Sequence, residues 1–230
     1  MGLFAAASLL PRRPKGRKQS VLVLPGFVAS DMSTIPLRAS LRRLGHRAVG
    51  WKLGRNLGPT KAIFDGIHRR LDEEAQHAQH PVTVVGWSLG GVYARLLAQE
   101  RPDLVHQVIS LGSPFNIGAS DRTTVSPLWD ALHSRGEFVR DRESLDLDEI
   151  PVPSTSIYTT TDGVVSWQSC IQTEHDHAEN TRVYGSHCGL GVNVAAATVI
   201  ADRLAQPRNH WRPFEPSGAM ARLFPAEPDQ

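Results

Sequence analysis

The sequence lacks any apolar run that approaches the ~20 residues a membrane-spanning helix needs. It contains only two cysteines, Cys170 and Cys188, which are too few for a disulfide scaffold and lack the paired spacing of a zinc site. Two alternatives stay open for this pair, a disulfide or two free thiols. These absences argue against a protein with helical membrane spans, a disulfide-rich secreted scaffold and a zinc-finger module.

The chain also lacks the charge order of a secretory signal. Its first ten residues are largely apolar, but basic residues follow them instead of preceding them. The acylation pattern at Gly2 fails as well, because Ala6 stands where serine or threonine is required. Residues 1–20 carry five basic side chains and no acidic one, so the net charge of +2 leaves −3 for the rest of the chain. We therefore predict a flexible basic leader over 1–20, no nucleic-acid surface and a cytoplasmic location, with weak membrane-surface contact through the leader as an alternative.

What the sequence does have is an alternation of short apolar runs with longer amphipathic segments. Runs rich in valine and leucine predict buried strands, and periodicities of three to four residues predict helices. The predicted strands are 21–24, 46–51, 82–85, 104–111, 155–160 and 181–184. The predicted helices begin near residues 34, 60, 92, 126 and 193. Strands joined by crossover helices form a parallel sheet with helices on both of its faces.

Two stretches interrupt this alternation. Residues 115–153 contain a short predicted helix and a mixed acidic stretch, and we interpret them as a cap or lid inserted into one domain of residues 21–206. Residues 207–230 form a proline-rich C-terminal tail without periodicity. Three aromatic residues predict that part of this tail packs on the surface: Trp211, Phe214 and Phe224.

The most informative motif is Gly86-Trp87-Ser88-Leu89-Gly90, which lies between a valine-rich strand and a helix. In this context a Gly-x-Ser-x-Gly turn holds its serine in a strained conformation with the hydroxyl exposed. Gly86 and Gly90 have no Cβ, so the helix can cross the strand closely. We therefore predict that Ser88 is a nucleophile and that the Leu89 N–H points at the group it attacks.

A serine hydroxyl needs a base, and the base needs a carboxylate that holds its tautomer. His187 and Asp162 each follow a predicted strand. Because the carboxyl ends of parallel strands meet at one edge of a sheet, both residues are expected at the edge that carries Ser88. We predict that His187 is the base and Asp162 its partner, with Asp148 and Asp176 as alternatives for the carboxylate.

The run Glu174-His175-Asp176-His177 contains metal-ligating residue types, but adjacent ligands in a loop rarely converge, so we predict no metal site and no cofactor.

Substrate contacts are predicted for a further set of residues. For the tryptophan and phenylalanine residues of this set, the alternative is packing in the core. For Asn56, the alternative is a place in the turn before a capped helix. The set consists of Trp87, Asn56, Phe115, Trp129 and Trp167.

The chain resembles the α/β-hydrolase superfamily over roughly residues 20–206, and it looks most like the small bacterial lipase and esterase branch. The motifs that carry the resemblance are Leu24–Phe27, Gly86–Gly91, Asp162–Val165 and Gly185–His187, in the order Ser, Asp, His. The resemblance implies a minimal version of the fold, with about six mostly parallel strands, helices on both faces and a short cap insertion.

By the same resemblance, the Phe27 N–H joins the Leu89 N–H in an oxyanion hole, although Pro25 stands where many members have histidine. The implied function is a serine hydrolase that cleaves a small-molecule or lipid-like carboxylic ester through an acyl-enzyme. An acyltransferase or a thioesterase would use the same three residues, and a non-catalytic protein on this scaffold is a further alternative. A disulfide between Cys170 and Cys188 would join the two catalytic loops. The sequence leaves the oligomeric state and the acyl-chain length open.

Overall fold

The computed structural model describes residues 18–116, 147–207 and 210–226. Its strands are β1 (Ser20–Leu24), β2 (Arg47–Gly50), β3 (Val82–Trp87), β4 (Val105–Leu111), β5 (Ser154–Tyr158) and β6 (Ala178–Arg182). They form one sheet in the order β2-β1-β3-β4-β5-β6, and every neighbouring pair is parallel. The predicted six-stranded parallel sheet is confirmed.

Within the described residues, four α-helices cover the two faces of this sheet. They are α1 (Ile35–Arg43), α2 (Lys61–Ala78), α3 (Leu89–Glu100) and α4 (Val194–Ala205). Short 3₁₀ helices span Trp167–Cys170, His187–Val192 and Gly218–Leu223. The apolar sides of α2 and α3 pack into one core cluster, and those of α1 and α4 pack into another.

The alternation of side chains along β1 explains why there are two clusters. Leu22 and Leu24 belong to the cluster of α2 and α3, whereas Val21 and Val23 belong to that of α1 and α4. Successive side chains of a strand point to opposite faces, so a strand covered by helices on both sides is apolar throughout. All five residues of β1 are buried accordingly.

Side-chain caps at two helix starts are present where the sequence predicts them. Thr60 Oγ1 accepts a hydrogen bond from the Ile63 N–H at 3.2 Å, at the beginning of α2. Asn193 Oδ1 accepts one from the Ala196 N–H at 3.1 Å, at the beginning of α4. Each cap satisfies an N–H that the first turn of a helix leaves without a partner.

The prediction for the last strand was wrong in its position. Residues 181–184 were expected, but β6 spans Ala178–Arg182. The strand lies at the edge of the sheet and pairs with β5, so its sequence is polar and lacks the apolar signal of β1 and β3. The helical periodicity of residues 35–44 also predicts Ile35 in the core, but Ile35 is the first residue of α1 and is 45% exposed.

The described part of the C-terminal tail packs against the cluster of α1 and α4. Phe224 is buried there, and the ring centroids of Phe214 and Phe224 are 5.1 Å apart. The Phe214 N–H also donates to Glu179 Oε2 on β6 at 2.6 Å. Phe214 and Phe224 thus pack this part of the tail against the folded domain, as the sequence predicts.

The basic leader up to residue 17 and the insertion from 117 to 146, including the predicted helix at 126–132, lie outside the described residues. The cap or lid and the membrane contact of the leader therefore stay predictions. Among the helices that the structure describes, none combines the length and the apolar character that crossing a membrane requires.

Candidate active site

Ser88 lies on the sharp turn between β3 and α3. Its backbone has φ 53° and ψ −124°, a conformation that a residue with a Cβ rarely adopts. The Ser88 N–H donates to the Leu111 carbonyl at 2.8 Å, which binds the turn to the end of β4. The strained turn expected from the sequence is therefore present at the carboxyl edge of the sheet.

Two glycines allow this turn to form. A Cβ on Gly86 would lie 2.3 Å from the Gly90 carbonyl oxygen, and one on Gly90 would lie 2.3 Å from the Leu24 carbonyl oxygen. Both contacts are with backbone atoms, which cannot move aside without shifting the sheet. The close crossing that the motif predicts between β1, β3 and α3 therefore leaves no room for a side chain at either position.

The chain that leaves β1 passes directly beside the serine. A Cβ on Gly26 would lie 3.2 Å from Ser88 Cβ and 3.8 Å from Ser88 Oγ. Phe27 follows at once, and Leu89 begins α3 on the other side of the serine. The N–H groups of Phe27 and Leu89 donate to no other group among the described residues, so both are available for an oxygen atom bound at Ser88.

His187 and Asp162 are joined by a buried hydrogen bond. His187 Nδ1 and Asp162 Oδ2 are 2.8 Å apart, and the two side chains are 8% and 2% exposed. The His187 N–H also donates to the Asp162 carbonyl at 3.0 Å. Asp162 Oδ1 accepts from the Val164 and Val165 N–H groups at 3.0 and 2.7 Å. The carboxylate is thus fixed on one side by its own turn and holds the imidazole on the other.

The imidazole lies beside Gly112, which follows the residue whose carbonyl accepts from the Ser88 N–H. A Cβ on Gly112, the residue after Leu111, would lie 3.2 Å from both His187 Nδ1 and Asp162 Oδ2. No hydrogen bond between the described residues joins the Ser88 hydroxyl to the imidazole. Such contacts are often long before substrate binds. Because Nδ1 binds the carboxylate, Nε2 is the ring nitrogen that is available to another group.

Trp87 links the two sides of the site in a way that the sequence did not indicate. Its indole N–H donates to the His187 carbonyl at 3.1 Å. A Cβ on Gly191 would lie 2.8 Å from the Trp87 ring, so the 3₁₀ helix that begins at His187 packs on the indole. The half-buried Trp87 side chain, which the sequence predicts in a pocket wall, therefore holds the loop that carries His187.

The other residues predicted to contact substrate have different surroundings. Asn56 is fully buried and its side chain binds protein groups, so its contact with substrate stays a prediction. Phe115 is also buried, with the Arg95 guanidinium 3.5 Å above its ring. Trp167 is half-buried and stacks on Tyr158 at 5.9 Å, and Trp129 lies outside the described residues.

The alternative carboxylates lie elsewhere. Asp148 accepts from the Thr173 N–H and hydroxyl, each at 2.8 Å. Asp176 is exposed in the turn before β6. Within the described residues, no group of three or more histidine, cysteine or acidic side chains is arranged to hold a metal ion.

The two cysteines are both free thiols in the structure. Cys170 is buried and Cys188 is exposed, so of the two alternatives for this pair the structure has two free thiols and no disulfide. Burial, together with the nearby Asp162 carboxylate, raises the pKa of the Cys170 thiol well above its ordinary range. The Cys170 thiol is therefore a buried structural group and does not ionise near neutral pH.

A family model described as alpha/beta hydrolase fold matches residues 64–130. A comparison with curated protein sequences gives no match. Among solved structures, lipase B of Aspergillus fumigatus is similar, with a TM-score of 0.66 and 20% identity. The match covers 84% of this chain and 53% of the lipase, so this chain spans about half the length of that enzyme.

Two further structures extend the comparison. A pyrethroid hydrolase from Sphingobium faniae JZ-2 is 16% identical with a TM-score of 0.57, over 84% of this chain and all of the hydrolase. The thioesterase domain from the curacin biosynthetic pathway is 15% identical with a TM-score of 0.52, over 84% of this chain and 92% of that domain. With its sheet order, its serine turn and these similarities, the chain has the α/β-hydrolase fold.

Proposed function

We propose that this protein is a serine hydrolase that cleaves carboxylic esters, with Ser88 as nucleophile, His187 as base and Asp162 as the carboxylate that orients the base. The observation that supports this most is the buried hydrogen bond of 2.8 Å between His187 Nδ1 and Asp162 Oδ2, beside a serine on a strained turn. A carboxylate at Nδ1 holds the tautomer in which Nε2 can accept a proton.

In the proposed reaction, His187 Nε2 takes the proton of the Ser88 hydroxyl while Ser88 Oγ attacks the ester carbonyl carbon. The Phe27 and Leu89 N–H groups stabilise the tetrahedral oxyanion, and each donor of this kind typically contributes ~10²–10³ in rate. The imidazolium then returns the proton to the leaving alcohol, and the acyl group stays on Ser88. Water repeats the same steps, releases the acid and restores the free serine.

An acyltransferase or thioesterase would form the same acyl-enzyme, and the fold is shared with the curacin thioesterase domain. The difference lies in the leaving group and in the acceptor that attacks the acyl-enzyme. Product analysis separates the three: an oxygen ester and a matched thioester are offered as donors, in water and with added alcohol. Preferential cleavage of the thioester, or acyl transfer that exceeds hydrolysis, would favour the alternatives.

The direct test compares Ser88→Ala and Asp162→Asn with the wild-type protein on chromogenic esters of increasing acyl length. We expect Ser88→Ala to lose at least ~10³-fold in kcat, and Asp162→Asn to lose about 10³–10⁴-fold, because the wrong tautomer is then held. A fluorophosphonate should label the wild-type protein once and leave Ser88→Ala unlabelled. Wild-type turnover by Ser88→Ala would exclude the proposed nucleophile.

A further inference from the structure

Asn56 is a fully buried amide in the loop between β2 and α2. Its Nδ2 donates to the Pro25 carbonyl at 3.0 Å. Its Oδ1 accepts from the Gly58 N–H at 3.2 Å and from the Tyr93 hydroxyl of α3 at 3.3 Å. A buried amide is costly unless its polar atoms are paired, and here both side-chain atoms have partners.

The backbone of Asn56 binds the same neighbouring segment. The Asn56 N–H donates to the Ala29 carbonyl at 2.8 Å, and the Asn56 carbonyl accepts from the Val28 N–H at 2.7 Å. Together with the bond to Pro25, this fastens residues 25–29 at three points on both sides of Phe27. Val28 has a φ of 54°, an unfavourable conformation for a β-branched residue, so the segment needs external support.

The Phe27 side chain contributes little to that support. It is 47% exposed, whereas residues that anchor a loop through packing are buried. The position of the Phe27 N–H beside Ser88 therefore depends on hydrogen bonds to its neighbours, and Asn56 provides three of them. An oxyanion donor is effective only when it is held in place before the charge develops.

We propose that Asn56 is a positioning residue that holds the Phe27 N–H in the oxyanion hole. This inference rests on the proposed ester hydrolysis. The Asn56 side chain touches no substrate; it acts through the Pro25–Ala29 segment and is itself oriented by Tyr93. Loss of the side chain removes the bond to Pro25 and lets the segment move. The oxyanion of the transition state then loses one donor, whereas binding of the uncharged ester changes less.

The test uses the full-length protein and three variants. Asn56→Ala removes both side-chain partners, and Asn56→Asp keeps the shape but replaces the donor to Pro25 by an oxygen. Thr60→Ala is the matched control, because it removes a side-chain hydrogen bond at the start of α2, four residues along the chain. All are measured for kcat and KM on a soluble chromogenic ester and for inhibition by an alkylboronic acid, which forms a tetrahedral adduct on a reactive serine.

We expect Asn56→Ala and Asn56→Asp to lower kcat by about 10²-fold, the usual effect of losing one oxyanion donor, with KM changed less than threefold. Boronic acid inhibition should weaken in parallel with kcat, while Thr60→Ala stays within about twofold of the wild type. A rise in KM at constant kcat would mean that Asn56 is a wall of the substrate pocket. A fall in kcat no larger than that of Thr60→Ala would also overturn the proposal.

Hydrogen exchange supplies a readout that does not depend on activity. Mass spectrometry should show faster exchange of the segment 25–29 in both Asn56 variants than in Thr60→Ala. If either Asn56 variant fails to fold, Tyr93→Phe removes one bond to Oδ1 and should give a smaller change in the same direction. Unchanged exchange overturns the positioning role, whereas a wild-type protein that turns over no ester overturns the proposed function instead.

Discussion

At the scale of single residues, the hydrogen bond from the Trp87 indole to the His187 carbonyl joins the serine turn to the histidine loop. Trp87→Phe keeps an aromatic ring against Gly191 but removes the donor. A buried neutral hydrogen bond contributes about 0.5–1.5 kcal/mol, so we expect kcat for ester hydrolysis to fall by up to about tenfold, with little change in KM.

The control for this substitution is Trp167→Phe, which keeps the stacking on Tyr158 and has no contact to the histidine loop among the described bonds. Steady-state kinetics on one ester compares the two variants. An unchanged kcat in Trp87→Phe, or an equal fall in both variants, would show that the indole does not position His187.

His46 offers a prediction on pH and stability. Burial lowers the pKa of His46 below its ordinary value of 6.5, and its Nδ1 accepts the Gln19 N–H at 3.3 Å, which requires an unprotonated ring. Below pH 6.5 the unfolded chain binds a proton that the folded chain does not, so the free energy of unfolding decreases as pH falls. Above pH 6.5 this residue causes no pH dependence.

Urea unfolding at pH 7.5 and 5.0 measures this effect. His46→Gln lacks the titrating ring, so its free energy of unfolding should decrease less between these pH values than that of the wild type. His77→Gln, at an exposed position of α2, is the control and should keep the wild-type decrease. An equal decrease in His46→Gln and the wild type would contradict the argument.

At the scale of elements, the crossing of α3 over β1 and β3 depends on glycine. A Cβ on Gly90 would lie 2.3 Å from the Leu24 oxygen and 2.9 Å from the Pro25 oxygen, and both belong to the backbone. Gly90→Ala should therefore lower the free energy of unfolding by about 3 kcal/mol, the upper range for overpacking. Gly189→Ala, whose Cβ would meet only Ser186 Oγ at 3.2 Å, should cost less than about 1 kcal/mol.

Urea denaturation of the two glycine variants at one pH decides this prediction. Similar free energies of unfolding for Gly90→Ala and Gly189→Ala would mean that the backbone at the crossing can move apart. The same experiment tests whether packing requires Gly90, because its φ is not positive and an alanine could adopt its backbone conformation.

Elements with a strong local signal were predictable from the sequence, and the polar edge strand β6 was not. β1 and β3 are nearly continuous apolar runs because both of their faces are covered, and Thr60 and Asn193 cap the helices α2 and α4. β6 has the sequence Ala-Glu-Asn-Thr-Arg because it lies at the edge and its Glu179 pairs with Arg203 at 2.7 Å. No hydrophobic pattern marks such a strand.

The same distinction holds for the candidate site. Ser88, Asp162 and His187 could be predicted because each follows a strand, and the carboxyl ends of parallel strands meet at one edge. The supporting contacts could not be predicted, since the indole of Trp87 reaches a carbonyl 100 residues away. Asn56 binds carbonyls on a loop that precedes it by about 30 residues. Their residue types suit a pocket equally well, and only the fold determines which groups they meet.

At the scale of the whole molecule, the fully buried guanidinium of Arg95 connects segments that are distant in sequence. It lies 3.5 Å above the Phe115 ring and donates to the Leu147 and Asp148 carbonyls at 2.7 and 3.2 Å. Its second terminal nitrogen donates to Gln172 Oε1. The Arg95 side chain of α3 therefore contacts three segments: the residues after β4, the residues before β5 and the loop between β5 and β6.

Arg95→Met should consequently destabilise the segments that Arg95 binds as well as its own helix α3. The variant keeps an unbranched apolar stem but removes the donor of the buried Leu147 carbonyl, at a cost of about 1–3 kcal/mol, together with the bonds to Asp148 and Gln172. We expect the free energy of unfolding to fall by about 3 kcal/mol or more and hydrogen exchange of residues 147–152 to accelerate. Arg101→Met, which breaks a half-exposed pair with Asp72 at the end of α3, should cost less than about 1 kcal/mol and leave that exchange unchanged. If the two arginine variants were equally stable, the segments around Arg95 would have to be held by apolar packing of Leu147, Ile150 and Val152 alone.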